Sequence, residues 1–494
     1  MREHPWLILV VLFMGCTLYT YNVSAACPGT DCSDTTCLYG ETGTCRVVTN
    51  LTLSSIQATV NAAVAGSSST TNYVSGVYLP SGTGSISGAI NISGKHGIVI
   101  AGQGSGSTTL NGTSSGVIYA ASPATNNIRV TGIHMHAPSG YIVFLKSQRA
   151  RIDHNLFTGG SASAGGFGVY FYDGYHNTGV IDRNTFTMDT YSTIIQVMDN
   201  GAGSGAGESD VATYATPIDW GSSDWVFVEG NTINANNSAL ETIESNMGGK
   251  IVARWNTING NWYWLSEQHN TDAQFAPGNG VGSRAHEFYY NLMKPAAGTT
   301  GALGITRAGT AMFYGNVYDV SSGARGNPDH YVISYRAYSD CTSGSTSNTA
   351  APSVLTNGLA RCCSSSYTSG SLRGEGYPCV GAPGVGLVRG GVFTMEPLYF
   401  WGNKRTTNGT TMVDYNPPYT DPSAAWALQA NRDWCTGTTK PASCGGKALT
   451  YTPYTCPHPL TGYTGTCDTG VAGAAGYNVA GTAVAPPGNL RILQ

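Results

Sequence analysis

The chain has 494 residues, a formal net charge of −4 and only 11% charged residues, while glycine alone numbers 66. No basic stripe exists to neutralise a phosphate backbone, which excludes nucleic-acid binding as its main role. Long heptads are absent too, so the Ser-, Thr- and Asn-rich chain favours β structure, in one elongated repeat domain or several ordinary ones.

The N-terminus, "MREHPWLILVVLFMGCTLYTYNVSAAC", has a basic start at Arg2, an apolar stretch over 6–18 and a small-residue cleavage site at Val23-Ser24-Ala25. This reads as a secretory signal peptide over 1–25, too short and wrongly flanked for a membrane span. Cys16 after Gly15 offers a second reading, an outer-surface lipoprotein acceptor. Beyond Cys16 lie twelve cysteines in three groups: 27, 32, 37 and 45; 341, 362, 363 and 379; 435, 444, 456 and 467. An oxidising compartment makes disulfides the default, mostly within each group. The first group marks a Cys-rich N-terminal cap over 26–69.

A motif then recurs: "RIDHNLF" (Asn155), "VIDRNTF" (Asn184), "FVEGNTI" (Asn231), "VARWNTI" (Asn256), "EFYYNLM" (Asn291) and "MFYGNVY" (Asn316), at intervals of 29, 47, 25, 35 and 25 residues. A minimum near 25 with insertions is the signature of a solenoid of short strands. Three residues before each Asn stand Ile152, Ile181, Val228, Ala253, Phe288 and Phe313; two after stand Phe157, Phe186, Ile233, Ile258, Met293 and Tyr318. Both sets are expected to point inward, with the asparagines stacked at one corner through their side-chain amides.

These segments resemble the coils of the pectate-lyase-like right-handed parallel β-helix superfamily, with its asparagine turn. The resemblance covers residues 70–405, with "GIVIAGQGSGSTTLNG" (97–112) as an early coil. It implies an all-β, single-stranded right-handed parallel β-helix. The motif is one of packing and says little about chemistry.

Strand alternation turns the position two before each Asn outward: Asp153, Asp182, Glu229, Arg254, Tyr289 and Tyr314. Coils about 4.8 Å apart make Glu229 and Arg254 neighbours, either as a cross-strand ion pair or as part of a site. Asp153, Asp182 and Glu229 form an acidic run suited to Ca²⁺. The longest insertions flank the Glu229–Arg254 pair, and the second, "GNWYWLSEQHNTDAQFAPGNGVGS", brings Trp262, Tyr263, Trp264 and His269. Rings beside carboxylates and arginines fit a carbohydrate groove, although the three aromatics would serve equally to cap the coil beneath. Arg284, Arg307 and Arg336 suit bidentate recognition of carboxylates, and Glu287 stands beside them.

A lyase on a uronate glycan needs such arginines and a base; a hydrolase needs two carboxylates. The family's catalytic motifs are not reproduced: "TGALGI" (300–305) lacks the pectate-lyase arginine, Arg307 matches only a later substrate-binding one, and the clustered aspartates of polygalacturonases are missing. The expected site therefore has His269 as base, Glu229, Arg254 and Glu287 as its other catalytic groups, and Arg284, Arg307, Arg336 and the three aromatics as substrate contacts. "EPLYFWGN" reads as a last coil, 406–470 as a disulfide-stapled cap over the open end, and 471–494 as a linker with a terminal strand. Two functions remain open: a secreted lyase (second choice, hydrolase) on an acidic polysaccharide or cell-surface glycan, or a non-catalytic surface protein that uses the solenoid for adhesion.

Overall fold

The structure, a computed structural model, describes residues 31–32, 39 and most of 41–477; residues 161–165, 173–175, 190–192, 199–217, 237–240, 247, 263, 269–282, 299–301, 322–329, 333–383, 387–393, 408–410, 416–417 and 421–429 lie outside the described residues. So do the signal segment, Cys16 and all four cysteines of the middle group.

Each coil takes three short strands. Ala150–Asp153 leads to Leu156–Gly159, then to Gly166–Phe171, before the chain returns to Gly179–Asp182. The return strand pairs in parallel with the one it left, Ile152 opposite Ile181. Repetition builds three sheets of 13, 11 and 10 strands among the described residues. We call them first, second and third in the order a coil visits them. This is a parallel β-helix, and crossovers between parallel strands of one sheet are right-handed almost without exception.

The expected register holds. Ile152, Ile181, Val228, Ala253, Phe288 and Phe313 pair in one column, which continues into Phe400. Phe157, Phe186, Ile233, Ile258, Met293 and Tyr318 form the second. Both columns lie in the main apolar core, where each large side chain contributes about 1.5–3 kcal/mol by leaving water.

The asparagine ladder closes the corner between first and second sheets. From Asn184 through Asn316 to a seventh member, Asn403, each side-chain oxygen accepts the backbone and amide N–H of the preceding Asn at 2.9–3.1 Å, with Asn155 as the first donor. These bonds satisfy buried polar groups that the turn takes out of the strand ladder. The residue before each ladder Asn is left-handed, and at His154, Arg183, Trp255 and Tyr290 it is not glycine. A side chain there costs about 1 kcal/mol of backbone strain. All four have a compensating partner, described next.

The N-terminal end is covered by a helix, Leu53–Ala62, capped by Thr52 and burying Ile56 and Val60 against the core. The C-terminal segment behaves differently from expectation. Residues 449–477 do not sit over the open end; they run along the outer face of the first sheet. There Tyr451, Tyr463 and Tyr477 join Trp225, Phe227, Val252, Tyr289 and Tyr314 in a second apolar cluster. Tyr463 stacks beneath the Arg183 guanidinium at 4.1 Å and its hydroxyl meets His154 Nε2 at 3.1 Å. The Trp255 indole N–H donates to the Asp468 carbonyl, and the Gly473 N–H to that of Tyr290. The strained corner residues are therefore the anchors of this strap. Two disulfides staple the C-terminal region, Cys435–Cys444 and Cys456–Cys467, both within the expected third group. Cys45 is also disulfide-bonded.

Candidate functional site

Glu229 and Arg254 are neighbours on adjacent strands, as their spacing implies, with an ion pair of 2.6 Å. They are not the floor of an open groove, because both are fully buried beneath the strap. Glu229 also accepts from the His458 backbone N–H and the Tyr477 hydroxyl, while Arg254 donates to Tyr289 and to the carbonyls of Tyr454 and Thr455. Glu287 accepts from the Tyr451 hydroxyl at 2.6 Å and from the Gly221 N–H. Burial pushes its carboxyl up to about 7 despite those two bonds.

The acidic run meets arginines rather than a cation site. Asp153 takes a bidentate pair from Arg129 and a contact from Arg151, and Arg151 forks onto Asp182. Burial penalises the Asp153 charge, but Arg129 and Arg151 overcome this and hold its carboxyl well below the usual range. Burial lifts Asp182 to about 6, with Arg151 opposing. With their oxygens taken by guanidinium groups, Asp153, Asp182 and Glu229 do not fit the six or more oxygen ligands of a calcium cage.

The other expected residues scatter. Trp262 is a core side chain whose indole donates to the Ala302 carbonyl, so it caps the coil from within. Arg284 is bidentate to Glu396 and Arg307 pairs with Glu267. His269, Tyr263 and Arg336 lie outside the described residues. Trp264 stands partly exposed, on the third sheet.

That sheet carries the chemistry-bearing face. Val143, Val169, Ile195 and Ile243 point into the core, as do Leu145, Phe171 and Val197. The residues between them must point out. Register makes them one continuous column: Tyr119, Phe144, Tyr170, Gln196, Glu244, Glu267 and Ile305. Beside it runs a second, with Tyr141 opposite Phe167 and, further on, Thr193, Glu241 and Trp264 in succession. Toward the N-terminal coils the face is aromatic; toward the C-terminal coils it is acidic.

At the acidic end the Thr193 hydroxyl contacts Glu244 Oε2 at 2.7 Å and Glu241 Oε2 at 3.2 Å. Both carboxyl oxygens touch one oxygen atom, so they lie at most about 6 Å apart, compatible with the roughly 5–5.5 Å of retaining glycosidases and short of the roughly 6.5–9.5 Å of inverting ones. A hydroxyl has one proton, so Thr193 serves one acceptor at a time. Glu241 is partly exposed and Glu244 is 3% exposed, a rim and a floor. Glu267, the register partner of Glu244, is neutralised by Arg307.

Behind the acidic residues the core turns polar. His286 Nε2 meets Ser245 at 2.5 Å and its Nδ1 meets Ser266 at 3.1 Å, while Thr306 bridges Gln268 and His330. Burial holds both histidines down at about 3, His286 with help from His330, so they are neutral hydrogen-bonding groups.

No family model matches the chain, and no curated protein sequence does. One solved structure resembling it is the catalytic unit of a thermostable GH87 alpha-1,3-glucanase from Streptomyces thermodiastaticus strain HF3-3, with a TM-score of 0.32 and 11% identity, over 79% of this chain and 68% of that one. The glucanase activity is a property of that protein.

Proposed function

We propose that the protein is an extracellular glycan-active enzyme that hydrolyses a neutral polysaccharide on the outer face of the third sheet. The observation that carries this is the Glu241–Thr193–Glu244 arrangement on the same face as the aromatic row. Glu241, at the rim, gives its proton to the leaving glycosidic oxygen as the C–O bond breaks. Glu244, at the floor, supplies the carboxylate that attacks or stabilises the anomeric carbon. A water then attacks that carbon and returns a proton to Glu241. Glu267 and Arg307 form a fixed pair that orients the floor.

Hydrolysis is favoured over a lyase on a uronate glycan because Arg254, Arg284 and Arg307 are each paired with a protein carboxylate. An acidic chain laid beside Glu241 and Glu244 would meet like charge instead. The disulfides suit an oxidising compartment, and among the described residues no helix is long and apolar enough to cross a membrane.

The test is incubation with soluble neutral polysaccharides while new reducing ends are counted, with polygalacturonate followed for unsaturated ends. Glu244→Gln should lose turnover by a factor on the order of 10²–10⁴. Glu241→Gln should lose most on natural glycosides and least on aryl glycosides, whose leaving group needs little protonation. Unsaturated ends from polygalacturonate alone would reinstate the lyase. A second reading, glycan binding without turnover, is favoured by the near-complete burial of Glu244; it takes over if no glycan is cut.

A further inference from the structure

The aromatic end of the third-sheet face has no part in the reaction just described. Tyr119, Phe144 and Tyr170 stand in one register column, Tyr141 and Phe167 in the next, with Tyr172 two residues beyond Tyr170. All but Tyr170 are partly exposed. Here Tyr119 and Phe144 are near-parallel at 7°, and Tyr141 is near-parallel to Phe167 and Tyr170, but the two sets meet at 66° between Tyr141 and Phe144. The row therefore holds rings in two orientations, and each of its partly exposed rings offers apolar surface to solvent. The cation beside it, Lys146, lies over the Tyr172 ring at 4.7 Å. The surface is thus apolar where the neighbouring coils are acidic. In register, Tyr170 stands two coils from Glu244 and Tyr119 four coils from it.

We propose that Tyr119, Tyr141, Phe144, Phe167 and Tyr172 form a sugar-stacking row that binds a neutral glycan chain running along the solenoid axis toward Glu241 and Glu244. Continuity of register with the acidic pair is what commits the row to this occupant. A coil spacing of about 4.8 Å is close to the advance of one sugar ring along an extended chain, so the row holds sugars about two to four units from the bond that is cut. Cleavage is then internal to a polymer, and short oligosaccharides are poor substrates. The position of the cut rests on the reading of Glu241 and Glu244; the binding does not.

The experiment is affinity electrophoresis of the full chain in gels containing a soluble α-glucan, β-glucan, xylan or mannan, with polygalacturonate as the acidic control. The wild type and Glu244→Gln should both be retarded by at least one neutral polymer and not by polygalacturonate. Tyr141→Ala and, at the far end of the row, Tyr119→Ala should each weaken that retardation roughly tenfold, the scale of one good aromatic contact. On purified oligosaccharides of the same glycan, the wild-type rate should climb from about three to about six sugars, and the climb should flatten in Tyr141→Ala. Retardation unchanged in both variants, with wild-type near-ultraviolet circular dichroism, overturns the proposal. So does retardation by none of the neutral polymers, or a dimer that Tyr141→Ala splits, which would make the row an interface between copies. Full activity in Glu244→Gln would sink the reaction assigned to the acidic pair while leaving the row's binding intact.

Discussion

The outer faces of the first and third sheets come from the same coils and the same alternation, yet one is closed and the other carries an open rim. On the first sheet the outward column runs from Asp153, Asp182, Glu229 and Arg254 to Tyr289 and Tyr314, and every member is buried on the face that residues 449–477 pack against. On the third, Tyr141, Phe144, Glu241 and Trp264 remain partly exposed. Strand alternation says which side chains leave the core. It does not say which outward face the chain will later cover with itself. Charge alone misleads here, because a buried ion pair and a catalytic pair both look like acids and arginines on neighbouring coils.

The sharpest test of that contrast exchanges stability for activity. Arg254→Ala leaves Glu229 buried with its counter-ion gone, which should cost about 3–5 kcal/mol of folding stability. Whatever protein still folds should keep its turnover. Glu244→Gln should do the reverse, losing turnover by about 10²–10⁴ while the denaturation midpoint moves little. Thermal or urea unfolding beside a reducing-end assay separates them. If Arg254→Ala abolishes catalysis in a folded protein, the site belongs to the first sheet after all.

The asparagine motif makes the first and second sheets legible in the sequence: the six-membered ladder, its flanking columns and the Glu229–Arg254 adjacency all stand where their spacing puts them. The third sheet was opaque for two reasons. Its outward column stands 12 residues after Asn184 at Gln196 but 15 after Asn155 at Tyr170, so variable turns erase the period. Its strands also carry consecutive core residues, Ile142 with Val143 and Ile194 with Ile195, which breaks the apolar–polar alternation. The signal that survives is a pair of outward residues three apart: Tyr141 and Phe144, Phe167 and Tyr170, Glu241 and Glu244. The strap was invisible because its docking uses backbone carbonyls of Tyr454, Thr455 and Thr461, which have no sequence signature.

Covalent closure of the strap gives the next effect. Cys456 and Cys467 bracket the stretch that reaches Glu229 and Arg151. Replacing both with Ser should cost about 3 kcal/mol, from the freedom returned to the unfolded loop. Limited proteolysis should then cut within 449–477 first, at concentrations that spare the wild type. Equal resistance of the two proteins would show that the strap holds by packing alone.

Acidity discriminates the two buried regions by sign. Glu287 beneath the strap is raised from 4.5 to about 7, so its contribution is fully present below about 4.5 and lost as pH rises through 7. His286 and His330, behind the third sheet, are lowered from 6.5 to about 3, so their contribution is complete above 6.5 and lost as pH falls toward 3. Glu287→Gln should therefore gain on the wild type as pH rises from about 4.5 to 7, at up to about 1.4 kcal/mol per pH unit. Paired urea titrations at pH 5 and pH 8 read the difference. A constant offset between the two proteins would mean that Glu287 meets water more than its burial implies.

The smallest effect isolates a single contact between coil and strap. Gly230 is left-handed at φ 65°, and a Cβ there would come within 2.3 Å of the Tyr477 ring. Gly402, at the equivalent corner, has φ 60°, but its Cβ would meet nothing nearer than the Thr438 carbonyl oxygen at 3.4 Å. Alanine at either position carries the same left-handed cost, about 1 kcal/mol. Only at Gly230 must it also displace a ring whose hydroxyl bonds Glu229 at 2.7 Å. Gly230→Ala should thus be the more destabilising by about 1 kcal/mol or more, since the lost bond is to a charged group. Combined with Tyr477→Ala, that excess should vanish, because no ring remains to be displaced. If the two glycines respond alike, Tyr477 is not seated against the corner, and the strap's last residues do not close the first sheet.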